Sequence, residues 1–183
     1  GLSIFSNDTL LYIPGSKFSY TSYGWNLVSA VIEGASKRPF IDFMTENVFK
    51  PLDMSHTIAD YNDSIIDHRT SFYMYGKDSS IINAIYVDNS YKWAGGGFLS
   101  TTEDLIKFGN AYLKAGFYKQ STLDTMISRQ RTSRGELIDY GIGWRIKKDD
   151  KGRSWFGHRG GSVGGSTQFI IYKDAELVIA ILT

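Results

Sequence analysis

The chain has 183 residues, 20 Lys and Arg against 19 Asp and Glu, a formal net charge of +1 and no cysteine. That balance gives no electrostatic footprint for nucleic acid or an anionic membrane surface, and the missing thiols exclude disulfide scaffolds and thiolate metal sites. No apolar run approaches the ~18 residues that a membrane-spanning helix needs, and the length suits one domain or a large part of one.

Residues 1–19 read as irregular, with a turn at Pro14-Gly15. From Tyr23 to about Ala35, the positions Trp25, Leu27, Val28, Val31 and Ile32 recur at helical spacing and predict a buried helix. Pro39, suited to a first helical position, opens a second helix carrying Phe40, Ile41, Phe43, Met44 and Val48 until Pro51 stops it. A hairpin is expected where Gly76-Lys77-Asp78 separates Ser71–Tyr75 from Ile81–Val87. Gly95, Gly96 and Gly97 then stand in a row between Trp93 and Phe98, a poor interior for either helix or strand. They read as a glycine wall at the floor of a cleft or, equally, as a tight packing loop. Ser100-Thr101-Thr102-Glu103 reads as a capping box with Ser100 at the N-cap, followed by Leu105, Ile106, Phe108, Ala111, Tyr112 and Leu113 at helical spacing. A shorter helix is expected from about Thr122 to Arg129.

After Gly135 the texture changes. Tyr140–Ile146, Ser154–His158, Thr167–Tyr172 and Leu177–Leu182 are short aromatic and β-branched runs, the pattern of an antiparallel meander. Lys147–Lys151, alternating in sign before Gly152, reads as a solvated hairpin turn. Helices followed by an antiparallel sheet predict an α/β (α+β) domain, mainly helical and irregular over 1–135 and sheet over 136–183.

The candidate chemistry starts at Gly157-His158-Arg159-Gly160-Gly161-Ser162-Val163-Gly164-Gly165, between two predicted strands. Gly160 to Gly164 spells G-x-S-x-G, but a nucleophile elbow needs a following helix and a later His. Here a strand follows, and His56, His68 and His158 all precede Ser162. A phosphate cradle also requires a helix N-terminus, and three scattered histidines lack metal-ligand spacing. What remains is a strand edge whose glycines let a substrate backbone pair along it, with His158 or Arg159 able to hold a carboxylate or supply a proton. Tyr20, before a helix, is either a half-buried packing residue or an acid–base group activated by a neighbouring cation.

Three pieces occur in order: Tyr20-Thr21-Ser22, then Ala94-Gly95-Gly96-Gly97-Phe98-Leu99-Ser100-Thr101 with Glu103-Asp104-Leu105, then His158-Arg159-Gly160. Together they resemble the serine β-lactamase and penicillin-binding-protein-like superfamily in its class C, esterase-like branch. The family pattern has Tyr-x-Asn before a helix, a Gly-Gly-x-x-Ser-Thr block leading into Asp-Leu, and Lys-Thr-Gly or His-x-Gly on a sheet-edge strand. Tyr86-Val87-Asp88-Asn89-Ser90-Tyr91-Lys92-Trp93 ahead of the glycines is similar to the mitochondrial serine β-lactamase-like branch and its bacterial relatives.

The resemblance implies a β-lactamase/transpeptidase-like fold, an antiparallel sheet flanked by helices, with residues 1–183 forming part of a single domain that lacks its N-terminal part and last helix. It implies Tyr20 as catalytic tyrosine and His158 in the place of the strand lysine. Ser22 replaces the usual Asn, while Gly160, Gly161 and Ser162 line the substrate edge and supply one oxyanion-hole amide. The family nucleophile, Ser-x-x-Lys, is absent: no lysine here has a serine three residues before it. It is therefore expected upstream, and this chain alone is expected to be inert. The implied activity is acyl-enzyme hydrolysis of amides or esters, as a peptidase, esterase or β-lactamase, on a small-molecule or peptide substrate without cofactor, metal or nucleic acid. A non-catalytic or self-assembling scaffold is the alternative, with homo-oligomers and the missing N-terminal segment as partners. The implied compartment is the bacterial periplasm or the exterior, with the mitochondrion as alternative.

Overall fold

A computed structural model describes residues 1–114 and 116–183. The first helix, α1 (Ser22–Ser36), starts where Thr21 caps it, its hydroxyl accepting from the Tyr23 amide at 3.1 Å, and ends at Lys37 in the left-handed region. Glu33 on its last turn accepts from the Phe40 amide at 2.9 Å and so ties α1 to α2 (Phe40–Met44). The helical path continues as a π turn over Thr45–Phe49, ahead of Pro51 as expected. The apolar stripe of α1 is not buried as predicted. Leu27, Val28 and Val31 are 52, 43 and 63% exposed, and Asn26 is the buried residue of the helix.

Two short antiparallel pairs follow. One joins β1 (Ile58–Ala59) to β4 (Phe98–Leu99), and the other is the exposed hairpin of β2 (Tyr73–Tyr75) and β3 (Ile81–Asn83). The glycine run is not a loop throughout: α3 (Trp93–Gly96) is a single helical turn capped by Gly97. Its glycines serve close packing, the blander of the two sequence readings. A Cβ on Gly95 would stand 3.0 Å from the Ser22 carbonyl, and one on Gly97 would strike the Trp93 ring at 2.8 Å.

The helix α4 (Thr102–Leu113) begins one residue later than the capping box predicts. Thr101 is the N-cap, accepting from the Asp104 amide at 3.2 Å. Ser100 instead shares a 2.8 Å hydrogen bond with Thr57, which takes it out of the capping role. Fully buried Asp104 accepts from the His56 amide at 2.8 Å and the Thr57 hydroxyl at 2.9 Å, pinning the chain ahead of β1 to this helix. The next helix is α5 (Gln120–Met126).

The C-terminal sheet runs in the order β5 (Arg145–Lys148), β6 (Ser154–Ser162), β7 (Gly165–Tyr172), β8 (Leu177–Leu182), antiparallel throughout. Its meander matches the predicted order, but β6 extends into the glycine-rich segment as far as Ser162 before the chain turns at Val163-Gly164. Residues 140–144 precede β5 as a loop instead of belonging to it. The core forms where α4 and α5 meet this sheet: Tyr112 and Leu123 pack with Trp144, Phe156, Phe169 and Ile171. Gly109 lets α4 approach, since a Cβ there would lie 2.4 Å from Val178 on β8.

Candidate active site

Tyr20 and His158, far apart in sequence, meet at the start of α1 and the middle of β6. Their ring centroids are 5.6 Å apart. A third aromatic group, Tyr140, completes the cluster. Its hydroxyl is 2.9 Å from His158 Nε2, and its ring lies 6.1 Å from Tyr20 and 5.1 Å from Phe18. The Arg145 guanidinium sits over the Tyr20 ring at 5.8 Å, a cation–π distance.

The imidazole is held at both nitrogens. Nδ1 is 2.7 Å from the Arg159 carbonyl oxygen, which can only accept, so Nδ1 carries the proton. Burial lowers the pKa of His158 below the usual imidazole range. The nearby Arg145 charge acts in the same direction, and the Arg159 carbonyl opposes them. The ring is therefore neutral at pH 7, and Nε2 accepts from the Tyr140 hydroxyl. Burial pushes the Tyr140 phenol up to about 12, which keeps it a donor.

The strand edge beside this cluster is open. β5 pairs with β6 only up to Arg145 opposite Gly157, so beyond that point β6 has β7 alone as a partner among the described residues. Ser166 exchanges both backbone bonds with Thr183, at 2.7 and 2.9 Å, so it turns away from Gly161 opposite it. In an antiparallel ladder, that directs the amide and carbonyl of Gly161 to the free edge. By the same alternation the amides of Gly160 and Ser162 face β7. Of the three residues named for this edge, Gly161 is the one with an amide available there. A Cβ on Gly160 would strike the Thr167 hydroxyl at 2.3 Å, while one on Gly161 would meet open space.

The remaining expected residues lie elsewhere. Ser22, the first residue of α1, turns its carbonyl toward Gly95. Ser162 lines a separate cavity with Phe72, Tyr86 and Val163, beside the ion pair that buried Asp60 makes with Arg69 at 2.8 Å. Sequence reasoning missed Tyr140 and Arg145, which it placed in a strand. The available signal was the motif Tyr140-Gly141-Ile142-Gly143-Trp144, whose two glycines mark close approach. A Cβ on Gly141 would overlap the Met126 carbonyl at 2.1 Å, and Gly143, at φ +81°, abuts Trp25 of α1.

An antiparallel sheet flanked by helices, with Tyr20 at a helix start meeting His158 on β6, is a β-lactamase/transpeptidase-like fold. The penicillin-binding protein of Bacillus halodurans superposes with a TM-score of 0.83 over 100% of this chain and 56% of its own, at 21% identity, a likeness of fold. The Beta-lactamase family profile matches residues 2–183, and the chain belongs to that family. It is 37% identical over 198 aligned residues to the mouse (Mus musculus) serine beta-lactamase-like protein LACTB, mitochondrial, covering 94% of this chain and 36% of the mouse protein. It is 30% identical to penicillin-binding protein 4* of Bacillus subtilis, over 93% of this chain and 40% of that protein. The chain thus spans well under half the length of these two relatives.

Proposed function

We propose that these 183 residues supply the tyrosine and sheet-edge half of a serine hydrolase that cleaves amide or ester bonds through an acyl-enzyme. The observation that carries this reading is the meeting of Tyr20 with His158 on the strand whose open edge, three residues further on, carries the outward-turned Gly161 amide. In it, Tyr20 moves the proton between nucleophile and leaving group, assisted by the Arg145 cation over its ring. Gly161 donates its amide to the oxyanion, and the open edge of β6 pairs with the substrate backbone. The nucleophile is a Ser-x-x-Lys serine outside these residues, on a segment that packs against the exposed stripe of α1. His158 in place of a strand lysine and Ser22 in place of Asn turn the preference from β-lactam hydrolysis toward esterase or peptidase activity. The same-fold scaffold, self-assembling and without turnover, is the competing reading.

A fluorophosphonate probe and fluorescent penicillin, applied to this chain and to the full-length protein, separate the two. The expected result is a label on a serine upstream of residue 1 of the full-length protein, located by peptide mass mapping, and none on the 183-residue chain. Absence of label on both would favour the scaffold.

A further inference from the structure

The Tyr140 hydroxyl has a defined task in the cluster. Arg159 fixes the proton of His158 on Nδ1 at 2.7 Å, so the ring lone pair is on Nε2, and Tyr140 points its O–H there from 2.9 Å. Without that donor, Nε2 would be left in a half-buried aromatic surround with Tyr20 on one side and Arg145 nearby. The ring would then be held by the Arg159 contact alone and free to turn about it. Tyr140 is itself rigidly mounted. It is 8% exposed, its ring packs on Phe18, and its carbonyl accepts from the Gln130 amide at 3.0 Å. The next residue, Gly141, donates to the Trp144 carbonyl at 2.7 Å, and Ile142 donates to Met126 at 2.9 Å. A hydroxyl on such a base is a fixed reference for the imidazole.

We propose that Tyr140 is the positioning residue for His158: its hydroxyl, donating to Nε2, holds the imidazole, whose tautomer the Arg159 carbonyl sets, in the orientation that faces Tyr20. This rests on the reading of His158 as the sheet-edge group of the site. Because a phenol O–H can rotate from donor to acceptor, the same contact survives protonation of the ring during turnover. Tyr140 acts through His158 and touches no reacting atom. The groups that face the imidazole are Tyr20 from the start of α1, Tyr140 from the loop before β5, Arg145 from β5 and the Arg159 carbonyl from β6. Across the ladder its partner on β7 is Phe169.

The test is nitrogen NMR of the full-length protein labelled with ¹⁵N-histidine, the His158 signals being assigned by their loss in His158→Gln, alongside steady-state kinetics on an ester substrate. The wild type is expected to show a protonated Nδ1 and an unprotonated, hydrogen-bonded Nε2. Tyr140→Phe, which keeps the ring packing and leaves the Arg159 contact in place, is expected to keep Nδ1 protonated and to lose the hydrogen-bond shift at Nε2. Its kcat should fall about tenfold, the scale of one lost charge-sensitive hydrogen bond, at nearly unchanged KM. An Nε2–H tautomer in the wild type overturns the proposal without any variant. So does a Tyr140→Phe protein whose His158 keeps the wild-type signals. Failure of the full-length protein to turn over ester while the Nε2 signal still depends on Tyr140 would count against the acyl-enzyme reading and uphold the positioning contact.

Discussion

At His158 the two ring nitrogens meet unlike partners, and that asymmetry sets a pH dependence. The folded ring binds its proton less readily than an unfolded histidine, because burial and the Arg145 charge both disfavour the cation. A step that needs the neutral ring therefore runs fully at and above neutral pH, and is lost as the pH falls through the depressed pKa. The acid limb of kcat/KM in the full-length protein should lie below the ordinary histidine range, and His158→Gln should abolish it. A limb that persists in that variant belongs to another group and removes His158 from the assigned role. The sequence made His158 and Tyr20 visible through their motifs, since each sits in a short run of diagnostic neighbours. Tyr140 carries no such mark. Its role arises from a hydrogen bond to a residue 2.9 Å away in space and in a different element, which periodicity does not encode.

Among the elements, α4 shows how a motif's residues divide their work. Asp104, in the stretch that resembles the family block, is a structural tie: it holds the His56 amide and the Thr57 hydroxyl with no exposed surface. Removing it leaves two part-buried donors unpaired and a hole where a fully buried side chain stood, so Asp104→Ala should cost about 2 kcal/mol in chemical denaturation. A loss under about 0.5 kcal/mol would be the value of an ordinary surface change and would refute this structural role. Local sequence could not choose the cap of this helix, because Ser100, Thr101 and Thr102 are all competent N-cap side chains. The choice fell to Thr101 once Thr57, distant in sequence, engaged Ser100. The turn at Gly76-Lys77-Asp78 and the one before Gly152 fell where their residues placed them, although the strands of the first hairpin stop short of the expected Ser71 and Val87. In the second, Asp149 accepts from the Lys151 and Arg153 amides at 3.0 and 2.9 Å, and Gly152 takes φ +78°. Such turns are decided by a few adjacent residues.

Across the whole molecule, one side is well packed and another is bare. The sheet buries its core against α4 and α5, whereas Leu27, Val28 and Val31 of α1 stay largely exposed and the outer edge of β8 has no cover among the described residues. On the proposed function, the rest of the protein occupies these surfaces. Amide exchange should then slow along β8 when the full-length protein is compared with the 183-residue chain, because a paired edge withdraws its amides from water. Equal exchange in the two would show that this edge stays open in the longer protein.

What the sequence determined by itself was everything carried by nearest neighbours: the helices from their apolar spacing and proline starts, the order of the terminal strands, and the turns. The order of the three short motifs also pointed to the family. Only the tertiary structure decided that the glycine run is a packing surface for α1, that Gly161 is the residue with a free edge amide, and that Tyr140 faces His158. Backbone direction in a ladder depends on the partner strand's register, and a hydrogen bond between side chains depends on how separate elements dock. Both are properties of pairs of segments, and neither segment specifies them alone.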